Sequence, residues 1–187
     1  MSISAEYVRV ERDDYNRFLI RPESIDKFFG YIDPGNREYA EALRRQDRSL
    51  VLGTLWQAVY YLLTNEVGQD NRPGLLPEPN ALGRSGVLAK AVFGGHPVKA
   101  DDYNDVAWYL SPEDVFEIAA ELVTRTPEVV RAVFDRTEHQ EVQIYRQSAP
   151  STWTGPDLDI LVEFYSHLRE FYLKASKEGN AVFVWIG

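Results

Sequence analysis

The C-terminal part of the chain constrains the fold more than any other segment. Residues 157–177 repeat apolar side chains at helical spacing, with charged side chains on the opposite face. The next element, Ala181–Ile186, is apolar throughout and rich in β-favouring residues, which is typical of a strand buried on both faces. A strand of this kind needs layers packed on both sides of its sheet, so the segment predicts an α/β architecture with this strand at the centre.

Other segments extend this pattern. Residues 6–10 and 106–110 are predicted strands, and residues 50–64 form an apolar run that predicts a buried core helix. Ser111-Pro112 and Thr126-Pro127 each combine a hydroxyl cap with proline at the first helical position, which marks two further helix starts. We therefore expect one domain over residues 1–187: an α/β fold with a small, mostly buried mixed sheet flanked by helices.

Two Pro/Gly-rich loops carry apolar residues that no periodic pattern assigns to the core. Residues 66–86 form the longest irregular stretch and contain Leu75 and Leu76, while Trp153 lies in a second loop over residues 148–156. Long loops inside compact domains often carry function. We predict that Leu75, Leu76 and Trp153 contribute to a binding surface, and the competing interpretation is that they cover the ends of the core.

Composition excludes several classes of site. The chain has no Cys and only three His, which removes disulfides and zinc sites built on sulfur, so we expect neither a metal nor a cofactor. The net charge of −9 argues against nucleic acid and against anionic membranes as partners. The N-terminal residues lack the features of a signal peptide, which predicts a soluble, cytoplasmic protein.

The polar candidates are few. Arg84 and Ser85 precede a predicted helix over residues 86–93, where backbone N–H groups and the guanidinium could hold an anion, although a simple helix cap is the competing interpretation. His96 follows that helix, close in sequence to Asp101 and Asp102, and either acts with them or binds the helix-end carbonyls. Asp135 and His139 share one helical face if residues 135–139 are helical.

Several motifs resemble the YfbM-like family of small bacterial proteins, whose function is uncharacterised. They are Trp56 with residues 61–64, residues 88–95, residues 109–115, residues 144–145 and 171–172, and residues 179–182. The resemblance implies an α/β sandwich-like domain and no particular activity. Family members often carry Asp-Lys before the Trp and His in the same helix, whereas this chain has Gly53, Thr54, Gln57 and Tyr60 there.

No nucleophile, base and orienting group can be assembled from spacing, so no catalytic residue is assigned. We expect a non-catalytic binding or interaction protein, of the kind that immunity proteins represent, with a protein partner. The candidate binding residues are Leu75, Leu76, Arg84, Ser85, His96 and Trp153. The alternative is a small hydrolase or transferase that uses carboxylates and one His in a cleft. The sequence leaves the oligomeric state open.

Overall fold

A computed structural model describes residues 4–21, 25, 47–64, 86–98, 106–136 and 155–186. Within these residues the chain forms five strands and six helices. In chain order they are β1 (Ala5–Val10), α1 (Arg12–Ile20), β2 (Ser49–Gly53), α2 (Trp56–Thr64), α3 (Gly86–Phe93), β3 (His96–Pro97), β4 (Val106–Leu110), α4 (Pro112–Thr124), α5 (Pro127–Arg136), α6 (Gly155–Glu178) and β5 (Ala181–Ile186).

The strands form one sheet in the order β2-β1-β5-β4-β3. The C-terminal strand β5 lies at its centre, as predicted from its apolar composition, and pairs with β1 on one side and β4 on the other. All pairings between the described strands are antiparallel, so the expectation of a mixed sheet is wrong for this part of the chain. Consecutive β5 side chains alternate between the two faces of the sheet.

Both faces of the sheet are covered. On the larger face, Tyr7, Leu110 and Val184 belong to a core that they share with buried residues of α2, α3, α4 and α6. On the smaller face, Phe183 packs edge-to-face against Phe18 of α1, with ring centroids 5.7 Å apart. The α/β class with helices flanking the sheet is confirmed.

One predicted element is wrong. The apolar run over residues 50–64 predicts a single helix, but these residues divide into the edge strand β2 and the helix α2. A short apolar run fits a strand as well as a buried helix, so periodicity alone does not separate them. Gly53 has φ +54°, a conformation that glycine adopts readily, and it ends the strand before a tight turn leads into Trp56.

The C-terminal end of α3 is fixed by hydrogen bonds that its last carbonyl groups accept. The hydroxyls of Tyr7 and Tyr172 donate to the carbonyls of Val92 and Ala91 at 2.9 and 2.8 Å, and both tyrosines are buried. Gly94, at φ +84°, donates its N–H to Lys90 O. Three independent contacts thus hold the point where the chain leaves α3 for β3.

In the described part of the chain, no helix combines the length and apolarity that crossing a membrane requires.

Candidate functional site

The first polar cluster is built at the start of α4. Ser111 caps this helix: its Oγ accepts from the backbone N–H of Asp114 at 3.1 Å, and its own N–H donates to Asp114 Oδ2 at 3.1 Å. The Ser111 hydroxyl also donates to Asp114 Oδ2 at 2.9 Å. This capping box confirms the helix start predicted from Ser111-Pro112, and it fixes the Asp114 carboxylate at the junction of β4 and α4.

Two further side chains converge on this carboxylate. Lys90 of α3 donates to Asp114 Oδ1 at 2.7 Å, and His96 Nε2 lies 3.2 Å from Asp114 Oδ2. The Asp114 side chain is only 10% exposed. Burial raises its pKa, but the hydrogen bonds from Lys90 and Ser111 outweigh burial, so its pKa lies below the ordinary value. Asp114 is therefore a fixed anion near neutral pH.

His96 is positioned by the chain around it. Gly95 N–H donates to Tyr109 O at 3.1 Å, and β3 pairs His96 directly with Tyr109, whose ring stacks on the imidazole at a centroid distance of 5.0 Å. A Cβ at Gly94 would lie 2.4 Å from Trp108 Cβ, so only glycine permits this close approach to β4. The His96 side chain is 50% exposed.

The cluster contains the three residue types of a Ser-His-Asp triad, but hydrogen bonds connect them in a different order. In a triad the imidazole lies between the hydroxyl and the carboxylate. Here the carboxylate of Asp114 lies between Ser111 and His96, and the Ser111 hydroxyl donates to Asp114 while it accepts the cap hydrogen bond. A hydrogen bond from His96 to the ionised Asp114 requires a proton on Nε2, which leaves Nδ1 outside this contact.

Of the predicted site residues, only His96 lies within the described residues. Among the described residues, His96 contacts Asp114 and not the α3 carbonyls, which accept from tyrosine hydroxyls and Gly94 N–H. The expected contact of His96 with Asp101 and Asp102 lies outside the described residues. The other predicted residues lie outside the described part of the chain: Leu75, Leu76, Arg84, Ser85, His139 and Trp153. Asp135 lies in α5, but its side chain is not described. No group of three or more carboxylates and imidazoles among the described residues is arranged to hold a metal ion.

A second feature lies on the solvent side of α4. Phe116 is 67% exposed and Val123 is 55% exposed, and the exposed Ala120 lies between them at helical spacing. The other side of α4 is buried in the core through Val115, Ile118, Ala119 and Leu122, as the sequence predicted. Phe116 and Val123 therefore lie outside the packed face of α4.

Acidic side chains flank this apolar row. Glu113, Glu117 and Glu121 recur every four residues and are all exposed. Glu113 forms an exposed ion pair with Arg12 of α1 at 3.2 Å, whereas Glu117 and Glu121 form no ion pair with any described residue. The helix contains no Lys or Arg. We call Glu113, Phe116, Glu117, Ala120, Glu121 and Val123 the α4 outer face.

The α4 outer face is not among the sites predicted from the sequence, although a signal was present. The spacing that places Val115, Ile118 and Leu122 on one side of the helix also places Phe116 on the opposite side, with the glutamates. Pairing of His96 with Asp114 had no comparable signal, because the two residues are eighteen positions apart and meet only through the β3–β4 pairing.

Comparisons with known proteins agree with this architecture. A crystal structure of a protein of unknown function, YfbM from Escherichia coli, matches with a TM-score of 0.59 at 15% sequence identity, covering 98% of this chain and 99% of that chain. No curated protein matches the sequence. The family model for a domain of unknown function, DUF1877, matches residues 1–185. This chain therefore belongs to the DUF1877 family, as its resemblance to YfbM-like proteins implied.

Proposed function

We propose that this protein is a non-catalytic binding protein whose ligand is another protein. The observation that carries the proposal is Phe116, a large aromatic residue that is 67% exposed at the middle of a well-packed helix. Aromatic residues dominate the binding energy of protein interfaces, and exposed apolar rows rimmed by polar residues mark interaction sites.

The polar cluster supports this choice because its hydrogen bonds are already used within the fold. Asp114 accepts from Lys90, Ser111 and His96, and Ser111 is engaged as a helix cap. No described side chain provides a nucleophile beside His96. A carboxylate with a lowered pKa also makes a poor general acid near neutral pH. The cluster therefore serves to join α3, β3 and α4.

One specific observation favours the alternative, a small hydrolase or transferase. His96 is half exposed and is backed by an ionised, buried carboxylate, which is how enzymes orient a histidine general base. In that role the nucleophile would be a water molecule or a substrate hydroxyl at Nδ1. The substrate would have to bring the remaining polar contacts itself.

An immunity-type role is one form of the binding proposal, in which the protein sequesters its partner and does no chemistry on it. The net charge of −9 suits a partner of opposite charge. Leu75, Leu76 and Trp153 remain proposed contact residues, and a gene for a toxin next to this one would support the assignment.

The test uses tagged protein expressed in its own cells and captured after chemical crosslinking. We expect a discrete complex with the wild-type protein and with His96→Ala, and loss of that complex with Phe116→Ser. Ile160→Ser, which removes an exposed apolar residue from α6, is the matched control and should retain the complex.

Absence of any complex in these cells would contradict the binding proposal. The catalytic alternative predicts a different pattern: His96→Ala accumulates an uncleaved or unmodified small-molecule substrate in the same cells, whereas Phe116→Ser changes nothing.

A further inference from the structure

We infer that the α4 outer face docks a basic, amphipathic helix of the partner protein. This inference rests on the proposed binding function and narrows it to one surface and one chemical class of ligand. Three observations carry it. The first is the exposed apolar row of α4. The second is the acidic row beside it, in which two glutamates form no ion pair with a described residue, and the third is that these glutamates lie where a helix disfavours negative charge.

The apolar row has the dimensions of a helix-binding surface. Phe116 and Val123 are seven residues apart, which is two helical turns or roughly 10 Å along the axis of α4. Amphipathic helices present apolar side chains at the same spacing of three, four and seven residues, so a partner helix lying along α4 places its anchors against Phe116, Ala120 and Val123. A partner strand would alternate its side chains every two residues and would not match this row.

The acidic row specifies the charge of the partner. Glu117 and Glu121 lie one turn apart along the side of the apolar row, and neither forms an ion pair with a described residue. A Lys or Arg on the partner helix, placed beside its apolar anchors, would meet these carboxylates at the rim of the interface. Charges at a rim steer association and fix orientation more than they add affinity.

The placement of the acids is unfavourable for the isolated helix. Like charges four residues apart repel each other on a helix surface, which applies to Glu117 and Glu121. Glu121 also lies in the last turn of α4, where the partial charge of the helix end favours a cation. A positively charged partner removes both penalties, so this face is complementary to a basic protein and is poorly adapted to water alone.

Other occupants are disfavoured by the same charges. A second copy of this chain would bring Glu117 and Glu121 against an identical acidic row, and both copies carry a net charge of −9. Nucleic acid and anionic lipid would be repelled for the same reason. A basic protein segment is the occupant that remains.

The direct test uses two synthetic peptides of about 15 to 20 residues that carry a fluorophore. Both peptides have Leu at helical spacing. The first peptide has Lys at all of the remaining positions, and the second peptide has Glu at those positions. We expect the Lys peptide to bind the wild-type protein in fluorescence anisotropy at physiological salt, and the Glu peptide not to bind.

Variants then localise the binding. Phe116→Ser, and separately Glu117→Lys with Glu121→Lys, should each weaken binding of the Lys peptide by about tenfold or more. The controls on α6 are Ile160→Ser, which also removes an exposed apolar side chain, and the pair Glu163→Lys with Glu170→Lys, which makes the same change in net charge. They should change the affinity by less than about threefold, and circular dichroism confirms that all four variants are folded.

Equal weakening by the α4 and α6 charge reversals would show that the peptide responds only to net charge, and the inference would be wrong. Failure of the Lys peptide to bind wild-type protein would overturn it as well.

A photo-crosslinking amino acid separates this inference from the broader proposal. It is placed at position 116, at position 160 as a control, or at position 153, in protein expressed in its own cells. A basic protein crosslinked from 116, and lost when Glu117 and Glu121 are reversed, supports both proposals. Capture from 153 alone keeps the binding function and overturns the α4 surface. A second copy or an acidic protein captured at 116 also overturns the α4 surface, and capture from none of the three positions overturns both.

Discussion

Helices α4 and α6 use their inner faces in the same way and their outer faces in opposite ways. The inner face of α4 buries Ile118 and Leu122, and that of α6 buries Leu168 and Tyr172 in the same core. The two helices also bind each other directly, since Arg169 of α6 donates to the carbonyl of Leu122 at 2.9 Å. The inner faces of the two helices therefore pack in the same hydrophobic core.

Charged side chains of α6 have partners of opposite sign. Lys174 donates to Asp47 at 2.6 Å, and the last turn contains Lys177 together with Glu178, which pairs with Arg9 of β1 at 3.0 Å.

The α4 outer face instead has Glu121 in its last turn and Phe116 exposed. Each helix exposes an apolar residue, Phe116 on α4 and Ile160 on α6, so the two outer faces differ in charge: Glu117 and Glu121 of α4 form no ion pair with a described residue, and we assign this difference to function.

The largest expected effect concerns the strand that both helices cover. Val184 lies on the central strand β5 and is fully buried, so Val184→Asp places an unpaired charge in the shared core and should destabilise the protein by about 4 kcal/mol or more. The matched control is Val51→Asp on the edge strand β2, where Val51 is exposed and the loss should be about 1 kcal/mol or less. Urea unfolding measures both, and similar losses at the two positions would contradict the central placement of β5.

The second prediction tests whether the inner faces are equivalent. Leu122 and Leu168 are both fully buried, so Leu122→Ala and Leu168→Ala should each destabilise the fold by about 2 to 5 kcal/mol through lost contacts and a cavity. Chemical denaturation with fluorescence detection gives both values. A much smaller loss for Leu122→Ala would mean that α4 packs less tightly against the core than α6 does. The two helices would then differ in how their inner faces pack as well as in their outer faces.

These inner faces were predictable from the sequence because helical spacing repeats over two turns or more. Val115, Ile118 and Leu122 in α4, and the apolar face of α6, are predicted correctly on that ground. The prediction is wrong for the run Leu50–Gly53, since a strand at the edge of a sheet depends on its neighbour β1, which local spacing does not reveal.

The candidate site was less predictable than the fold. His96 meets Asp114 only after β3 and β4 pair, so local sequence carries no sign of the contact. The exposure of Phe116 was contained in the helical spacing, but it became informative only when the structure showed that nothing in the described chain covers the ring. Physical chemistry fixes the periodic elements locally, while a site depends on contacts between distant residues.

The third prediction concerns the start of α4, where Asp114 joins three elements. Asp114→Asn keeps the shape and removes the charge, and it should destabilise the protein by about 1 to 2 kcal/mol at pH 7, because charged hydrogen bonds from Lys90 and Ser111 are weakened. Lys90 is partly exposed, so solvent screening keeps the loss in this range.

The pH dependence of that loss has a definite sign. The pKa of Asp114 is lower in the folded protein than its ordinary value of 3.8, so the folded state binds fewer protons than the unfolded state in that range. The difference in unfolding free energy between wild type and Asp114→Asn should stay constant above that ordinary value and shrink as the pH falls below it. Urea unfolding from pH 7 to pH 3 measures it, and a difference that grows on acidification would contradict the assigned charge state.

The smallest expected effect bears most directly on the contrast between the outer faces. Glu121→Lys places a cation in the last turn of α4 and an ion pair partner four residues after Glu117, so it should stabilise the protein by about 0.5 kcal/mol. Lys177→Glu makes the reverse change in the last turn of α6 and should destabilise it by a similar amount. Melting temperatures at low salt resolve the two shifts, and high salt should reduce both.

Glu121→Lys should also weaken capture of the basic partner, whereas Lys177→Glu should leave it unchanged. A variant that gains stability and loses binding identifies a residue kept for its contact and not for the fold. If Glu121→Lys instead lowers stability, the acid is structural and the α4 outer face is an ordinary solvated surface like that of α6.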